Sequence, residues 1–198
     1  MASTKLVYGI GRKTAGLPTG DYRHGKKVHC PIYGRWHGML MRCYSERYQL
    51  RFPSYAGCYV ADQWLEFGDF RSWMMDQPWE GNELDKDLLI PGNKEYSPER
   101  CIFIPNWLNS ALVEQESRRG IWPLGVSRHL TGRYAATINR DGKSRTFGIF
   151  DTPEEAHQAY RKEKAKKLAE LLVRYAALNR TDPRAITAVE ARIADLLA

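Results

Sequence analysis

Leu84-Asp85-Lys86-Asp87-Leu88-Leu89-Ile90-Pro91-Gly92-Asn93-Lys94 is followed by Tyr96-Ser97-Pro98-Glu99-Arg100-Cys101-Ile102-Phe103-Ile104-Pro105-Asn106-Trp107-Leu108-Asn109. The run from Leu84 to Ile90 has the composition of a short strand, and Pro91-Gly92-Asn93-Lys94 that of a turn. Cys101-Ile102-Phe103-Ile104 predicts a second strand, after which Pro105 opens a helix in its first turn. Strand, turn, strand, helix is the plan of a ββα-metal unit. An acid at the end of the first strand and an Asn on the helix can converge on one hard cation. Oxygen ligands of this kind suit Mg²⁺ or Mn²⁺ and leave positions for water and a phosphate.

The stretches on either side extend this reading. Tyr33, Trp36, Leu40 and Cys43 recur at helical spacing, and the apolar set Trp64, Leu65, Phe67, Phe70, Trp73 and Met74 predicts a helix from Ala61 to Met75. Residues up to about Val28 are rich in glycine and poor in large apolar side chains, as expected of an extended arm. Beyond Gly120, three short strands are expected at Val126 to His129, Arg133 to Asn139 and Arg145 to Phe150. They are divided by Thr131-Gly132 and by the hairpin signal Asp141-Gly142. Thr152-Pro153-Glu154-Glu155 then carries the marks of a helix start. The helix it opens is expected to reach about Leu178, with Ala156, Tyr160, Ala165, Leu168 and Leu172 as its buried stripe. A break at Asn179 to Pro183 and a last short helix to Leu197 follow. The expected class is α+β: a ββα core with flanking helices, then a three-stranded antiparallel sheet packed on one helix. The expected divisions are a basic arm over 1–30, a ββα domain over 31–116, a sheet domain over 120–178 and a helical tail over 179–198.

Composition narrows the partners. The chain has 198 residues, 43% of them hydrophobic, enough to bury a core rather than remain a disordered tail. No stretch approaches the ~18 apolar residues of a membrane span. The N-terminal MASTKLVYGIGRKTAG has no apolar core of a signal peptide, so a cytosolic setting is expected. There, Cys30, Cys43, Cys58 and Cys101 are expected as thiols. A structural Zn²⁺ held by them, with His29 or His37, is the alternative to buried thiols in a Trp-rich core. The net charge of +7 favours a polyanionic partner. It is unevenly spread: residues 1–51 are basic, Asp62 to Glu99 acidic, and Arg118 to Arg145 basic again.

On the middle strand of the sheet, Tyr134, Ala136 and Ile138 are expected on one face, with Arg133, Ala135, Thr137 and Asn139 on the other. The second face suits a major groove, where a sheet can read base edges while Lys and Arg hold phosphates. Arg128, Arg140, Lys143 and Arg145 fit that role, or else form a solvated sheet edge. Gly125-Val126, Gly132-Arg133-Tyr134-Ala135-Ala136-Thr137-Ile138 and Phe147-Gly148-Ile149-Phe150 through Tyr160 resemble the Apetala-type DNA-binding domain of plant ethylene-response factors, also found fused to phage nucleases. The likeness spans Gly120 to about Leu172. It implies that Ser127, His129, Arg133, Thr137, Asn139, Ser144 and Thr146 face the groove. Several of these positions are Arg or Trp in the plant relatives.

The stretch from Tyr33 to Asn109 resembles phage HNH endonucleases, through Trp36-His37-Gly38-Met39-Leu40-Met41-Arg42-Cys43-Tyr44, Tyr55, Trp64-Leu65-Glu66-Phe67, Phe70 and the ββα run. The resemblance implies that Asp85 is the first metal ligand, Asn109 the helix ligand and Asn93 the loop residue that pins the strands. Lys86 stands where most of the family has its general-base His. Lys86 could act as base with a lowered pKa or hold the phosphate as a cation. The base could instead be His24, His29, His37 or a tyrosine, or the site could be inactive. Asp87 is a second candidate ligand, or a solvated carboxylate paired with Lys86. The resemblance implies a phage-encoded homing-type endonuclease, monomer or homodimer, cutting duplex DNA in a bacterial host. The alternative is a non-catalytic DNA-binding protein on the same scaffold. Lys26 and Lys27 in the arm would add phosphate contacts.

Overall fold

The computed structural model describes residues 6–23, 26–113, 121–140 and 142–198; side chains at 21–27, 29 and 140 lie outside that description. The chain is mixed α and β and divides into two units, Met1–Asn106 and Trp107–Ala198.

The first unit is built around α1 (Pro31–Tyr44). Its Pro31 stands in the first turn, where a missing N–H costs nothing. Ile32, Tyr33, Trp36, Met39, Leu40 and Cys43 form the buried stripe of α1. They meet Trp64, Phe67, Phe70 and Met74 in one core. Trp36 donates its Nε1–H to the Trp64 carbonyl at 2.7 Å, so the large ring is buried without an orphaned donor. Tyr33 and Phe67 pack edge to face at 5.3 Å. A short helix α2 (Glu46–Arg51) follows, capped by the Ser45 side chain, and then a two-residue strand β3 (Tyr59–Val60).

The helix expected from Ala61 to Met75 is interrupted. A 3₁₀ turn occupies Asp62–Trp64, Glu66 is extended, and α3 runs only over Phe67–Met75. The cause is the N-terminal segment. Arg12 N–H donates to Leu65 O at 2.7 Å and Phe67 N–H to Arg12 O at 2.9 Å, so backbone bridging replaces a helical turn. The same contact corrects the expectation of an extended arm over 1–30. Val7, Tyr8, Ile10 and Leu17 pack against the core, and Gly20–Arg23 (β1) pairs antiparallel with Lys26–His29 (β2).

β4 (Asn82–Asp85) pairs antiparallel with β6 (Ile102–Pro105), with Asp85 opposite Ile102. Between them β5 (Glu95–Tyr96) runs parallel to β3. The strand expected to reach Ile90 stops at Asp85. Pro105 closes β6, and α4 (Asn106–Leu112) begins one residue later than expected.

In the second unit β7 (Val126–Arg128), β8 (Tyr134–Arg140) and β9 (Lys143–Phe150) form an antiparallel sheet with β8 in the middle. Helix α5 (Pro153–Ala176) packs on β8. Thr152 caps α5 with a reciprocal box: its hydroxyl accepts from Glu155 N–H at 3.2 Å, and Glu155 accepts from Thr152 N–H at 3.3 Å. The expected stripe holds at Ala156, Tyr160, Ala165 and Leu168, while Leu172 is half-buried and Tyr175 takes the next buried place. Tyr175 is held because its hydroxyl accepts from Asp182 N–H at 2.9 Å, beside the start of α6 (Pro183–Leu197). The residues expected as a tail belong to this unit. Arg161 donates to the Leu196 carbonyl at 3.1 Å, and Ala185 and Val189 are buried. Helix α4 is bound here as well: Lys164 Nζ donates to Ala111 O at 2.6 Å, and Arg174 lies over the Trp107 ring at 4.3 Å. Among the described residues no helix is long and apolar enough to cross a membrane.

Gly125 and Gly142 both have left-handed backbone, at φ +79° and +76°. A Cβ at Gly125 would stand 2.1 Å from Tyr160 Cδ2, whereas at Gly142 it would meet nothing within 4 Å. Gly142→Ala should cost about 1 kcal/mol from backbone strain alone. Gly125→Ala adds overpacking and should cost about 3 kcal/mol. Urea unfolding of the two variants measures the difference, and equal costs would mean that Tyr160 does not press on Gly125.

Candidate functional site

Asp85 closes β4 and turns the chain. Its Oδ1 accepts from Asp87 N–H at 2.9 Å and from Leu88 N–H at 2.7 Å. A carboxylate that captures the backbone two and three residues ahead replaces ladder pairing with a tight turn, which is why the strand ends here. Among the described residues no protein donor meets Asp85 Oδ2. Burial pushes the Asp85 carboxyl above its ordinary value, countered by the Leu88 N–H, while the neighbouring Asp87 adds to the rise.

Lys86 is buried, 6% exposed, which decides its role. Its Nζ donates to Asp87 Oδ1 at 2.6 Å and to Asn93 O at 2.6 Å. Asn93, also buried, answers in the opposite sense: its Nδ2 donates to Lys86 O at 2.9 Å and to Glu95 O at 2.6 Å. Asn93 Oδ1 accepts from Glu95 N–H at 3.1 Å. Lys86 and Asn93 thus clasp the two sides of the 86–93 loop. An ammonium with two short bonds to acceptors is placed to hold the loop. Asp87 pairs with it while remaining largely exposed.

Four groups that sequence reasoning did not place in the site surround this loop. The Arg42 guanidinium, on the last turn of α1, donates through Nε to Tyr96 Oη at 3.1 Å. It lies 5.7 Å from the Tyr96 ring centroid and 5.8 Å from that of Tyr55. Arg100 pairs with Glu95 at 3.1 Å. Tyr55 feels the charges of Arg42, Lys86 and Asp87, so it stands between the α1 end and the loop. Burial pushes both phenols up, so they stay neutral near neutral pH. No short-range spacing in the sequence links Arg42 to Tyr96; only the meeting of α1 with β5 does.

The other expected groups are placed as follows. Asn109 stands on α4 in the second unit, its carbonyl accepting from Val113 N–H at 3.2 Å, whereas Asp85 belongs to the first. The His37 ring lies 5.0 Å from that of Tyr8 and 5.9 Å from that of Tyr33. His24 lies outside the described residues, as do the side chains of His29, Lys26 and Lys27. All four cysteines are free thiols, and among the described residues no three His, Cys, Asp or Glu side chains cluster as metal ligands. Burial pushes the Cys43 and Cys101 thiols up to about 12, so both are neutral.

On the sheet, Lys143 and Arg145 are exposed on β9, and among the described residues no protein acceptor meets either. Arg128 lies 4.9 Å over the Tyr134 ring. Arg133 pairs with Asp151 at 2.7 Å in an exposed bridge of little net value. His129 Nδ1 lies 2.8 Å from the Thr131 hydroxyl and 3.3 Å from the Thr131 N. Asn139 is exposed. The face expected to be open is partly closed: Ala135 is buried, and Thr137 donates its hydroxyl to the Gly125 carbonyl at 3.3 Å. The Arg140 side chain lies outside the described residues.

Compared with protein-family models, curated proteins and solved structures, the chain matches none.

Asn93→Ala would strand the Lys86 and Glu95 carbonyls and the Glu95 N–H. It should lower stability by about 3 kcal/mol, read by denaturant unfolding. A loss under about 0.5 kcal/mol would show that the loop is held by other contacts.

Proposed function

We propose that the chain is a DNA-directed, metal-dependent endonuclease of the HNH type, with its three-stranded sheet positioning it on duplex DNA in the manner of an Apetala-type domain. The observation that supports this reading is the Asp85 turn. One carboxylate oxygen is fixed by two backbone amides, and the other has no protein partner among the described residues. The turn lies on a loop locked by Asn93, with an aromatic-flanked arginine nearby. A half-buried, oriented carboxylate with one oxygen unpartnered among the described residues fits a hard divalent cation.

Asp85 would hold the ion and Asp87 would stand beside it, its charge shared with Lys86. With so few protein oxygens, water and phosphate would complete the shell. A bound Mg²⁺ or Mn²⁺ would supply charge stabilisation at the scissile phosphate. Asn93 and Lys86 keep the turn in register, and Lys86 acts as a structural cation. Lys143, Arg145 and Arg128 would contact phosphates, and Arg133 could exchange Asp151 for one.

One observation favours the second reading, a DNA-binding protein that keeps the scaffold without cleavage. At the position that the resemblance gives to the general base, the Lys86 Nζ is tied to Asp87 and Asn93.

Supercoiled plasmid incubated with the protein and Mg²⁺ or Mn²⁺ separates the two. Nicking that falls about 100-fold or more in Asp85→Ala is the expected result. Intact plasmid under conditions where binding is demonstrated would favour the second reading. For the sheet, the double variant Lys143→Gln, Arg145→Gln should weaken duplex binding and flatten the plot of log affinity against log salt by about 2. An unchanged slope would take both residues off the phosphates.

A further inference from the structure

We infer that Arg42 is the phosphate-binding residue of the Asp85 loop, gripping a non-bridging oxygen pair of the DNA backbone through its Nη1 and Nη2 groups. The identity of the anion rests on the nuclease reading; the anion site itself rests on geometry.

Arg42 is half-buried on the last turn of α1. Its Nε is satisfied by Tyr96 Oη at 3.1 Å. Tyr55 and Tyr96 flank the guanidinium with centroids at 5.8 and 5.7 Å. Those contacts orient the plane and remove rotamer freedom, as a binding fork requires. Among the described residues no carboxylate lies within ion-pair reach of Arg42, and no protein acceptor meets Nη1 or Nη2. A structural arginine taken this far out of water is ordinarily paired with an acid. Here the charge is left for an anion that the protein does not contain. A tetrahedral oxyanion offers two oxygens at the spacing of the two Nη groups, whereas a point cation would bind it with less direction.

Position supports the same assignment. Gln49 Nε2 donates to Cys43 O at 2.7 Å, to Arg42 O at 3.2 Å and to Tyr55 O at 3.3 Å, fastening the end of α1 to the segment carrying Tyr55. Lys86 and Asp87 lie within electrostatic range of Tyr55, and Lys86 within range of Cys43, the neighbour of Arg42. Through Tyr96 the fork adjoins the strand that follows Asn93, where the loop begun by Asp85 closes. Lys86, already bonded to Asp87 and Asn93, cannot supply that grip without breaking the clasp.

The test uses the full chain as wild type, Arg42→Lys and Arg42→Gln. Melting temperature is followed as inorganic phosphate is titrated against chloride of equal ionic strength. Wild type should show a saturable rise. Arg42→Gln should bind phosphate about tenfold more weakly or not at all, with Arg42→Lys between them. No saturable rise in wild type, or equal affinity in Arg42→Gln, overturns the inference. Should Arg42→Gln fail to fold, mass mapping of phenylglyoxal modification on wild type decides. Phosphate should slow the modification of Arg42 several-fold, and an unchanged rate overturns the site. Plasmid nicking keeps the two readings apart. Arg42-dependent phosphate binding in a protein that cuts no DNA supports the anion site and removes the nuclease. Wild-type nicking by Arg42→Gln, with Asp85→Ala inactive, keeps the nuclease and overturns the role of Arg42.

Discussion

Two hydrogen bonds run in opposite directions between Lys86 and Asn93: ammonium to carbonyl at 2.6 Å, and amide to carbonyl at 2.9 Å. They close the loop that Asp85 begins. Without them the 86–93 segment would have to hold a buried charge and several backbone groups by chance contacts, at a cost far above that of a surface loop. With them, the loop is closed, and Asp85 Oδ2, which no protein donor meets among the described residues, has a defined place. The same clasp occupies the Lys86 ammonium in the architecture.

Around this clasp the first unit arranges its aromatic residues in two roles. Trp36, Trp64, Phe67 and Phe70 fill the core, with the Trp36 N–H satisfied by a carbonyl. Tyr55 and Tyr96 border the loop and hold a cation between them. The difference lies in what each ring can donate or accept at its edge. Buried phenols with raised pKa values are dependable neutral partners for a guanidinium, whereas an indole in the core needs only one acceptor.

The second unit handles charge differently. The buried Lys164 is matched to a helix carbonyl, and the exposed cations Lys143 and Arg145 on β9 meet no protein acceptor among the described residues. An edge strand with exposed lysine and arginine resists pairing with another sheet. It also presents a positive rim to a polyanion. The two consequences have one cause and need no separate devices.

Much of the local structure was legible in the residues. Thr152-Pro153-Glu154-Glu155 announced a capped helix because its hydroxyl, ring and carboxylate act on backbone groups within one turn. The three strands were legible for the same reason, as was the buried face of α1, while Asp141 of the expected Asp141-Gly142 break lies outside the described residues. What was not legible came from contacts far apart in the chain. Arg12 breaks the expected Ala61 to Met75 helix by bridging to Leu65 and Phe67. Asp85 ends a strand that propensity alone would carry to Ile90. The Arg42 cage needs Tyr96, a partner that no local period predicts. The sequence by itself determined the elements, their caps and the distribution of charge, since these follow from short-range sterics and side-chain chemistry. Only the tertiary structure decided which polar groups are satisfied and which are left open. Hydrogen-bond partners in a folded chain are chosen by proximity in space, and spacing along the chain does not encode that proximity.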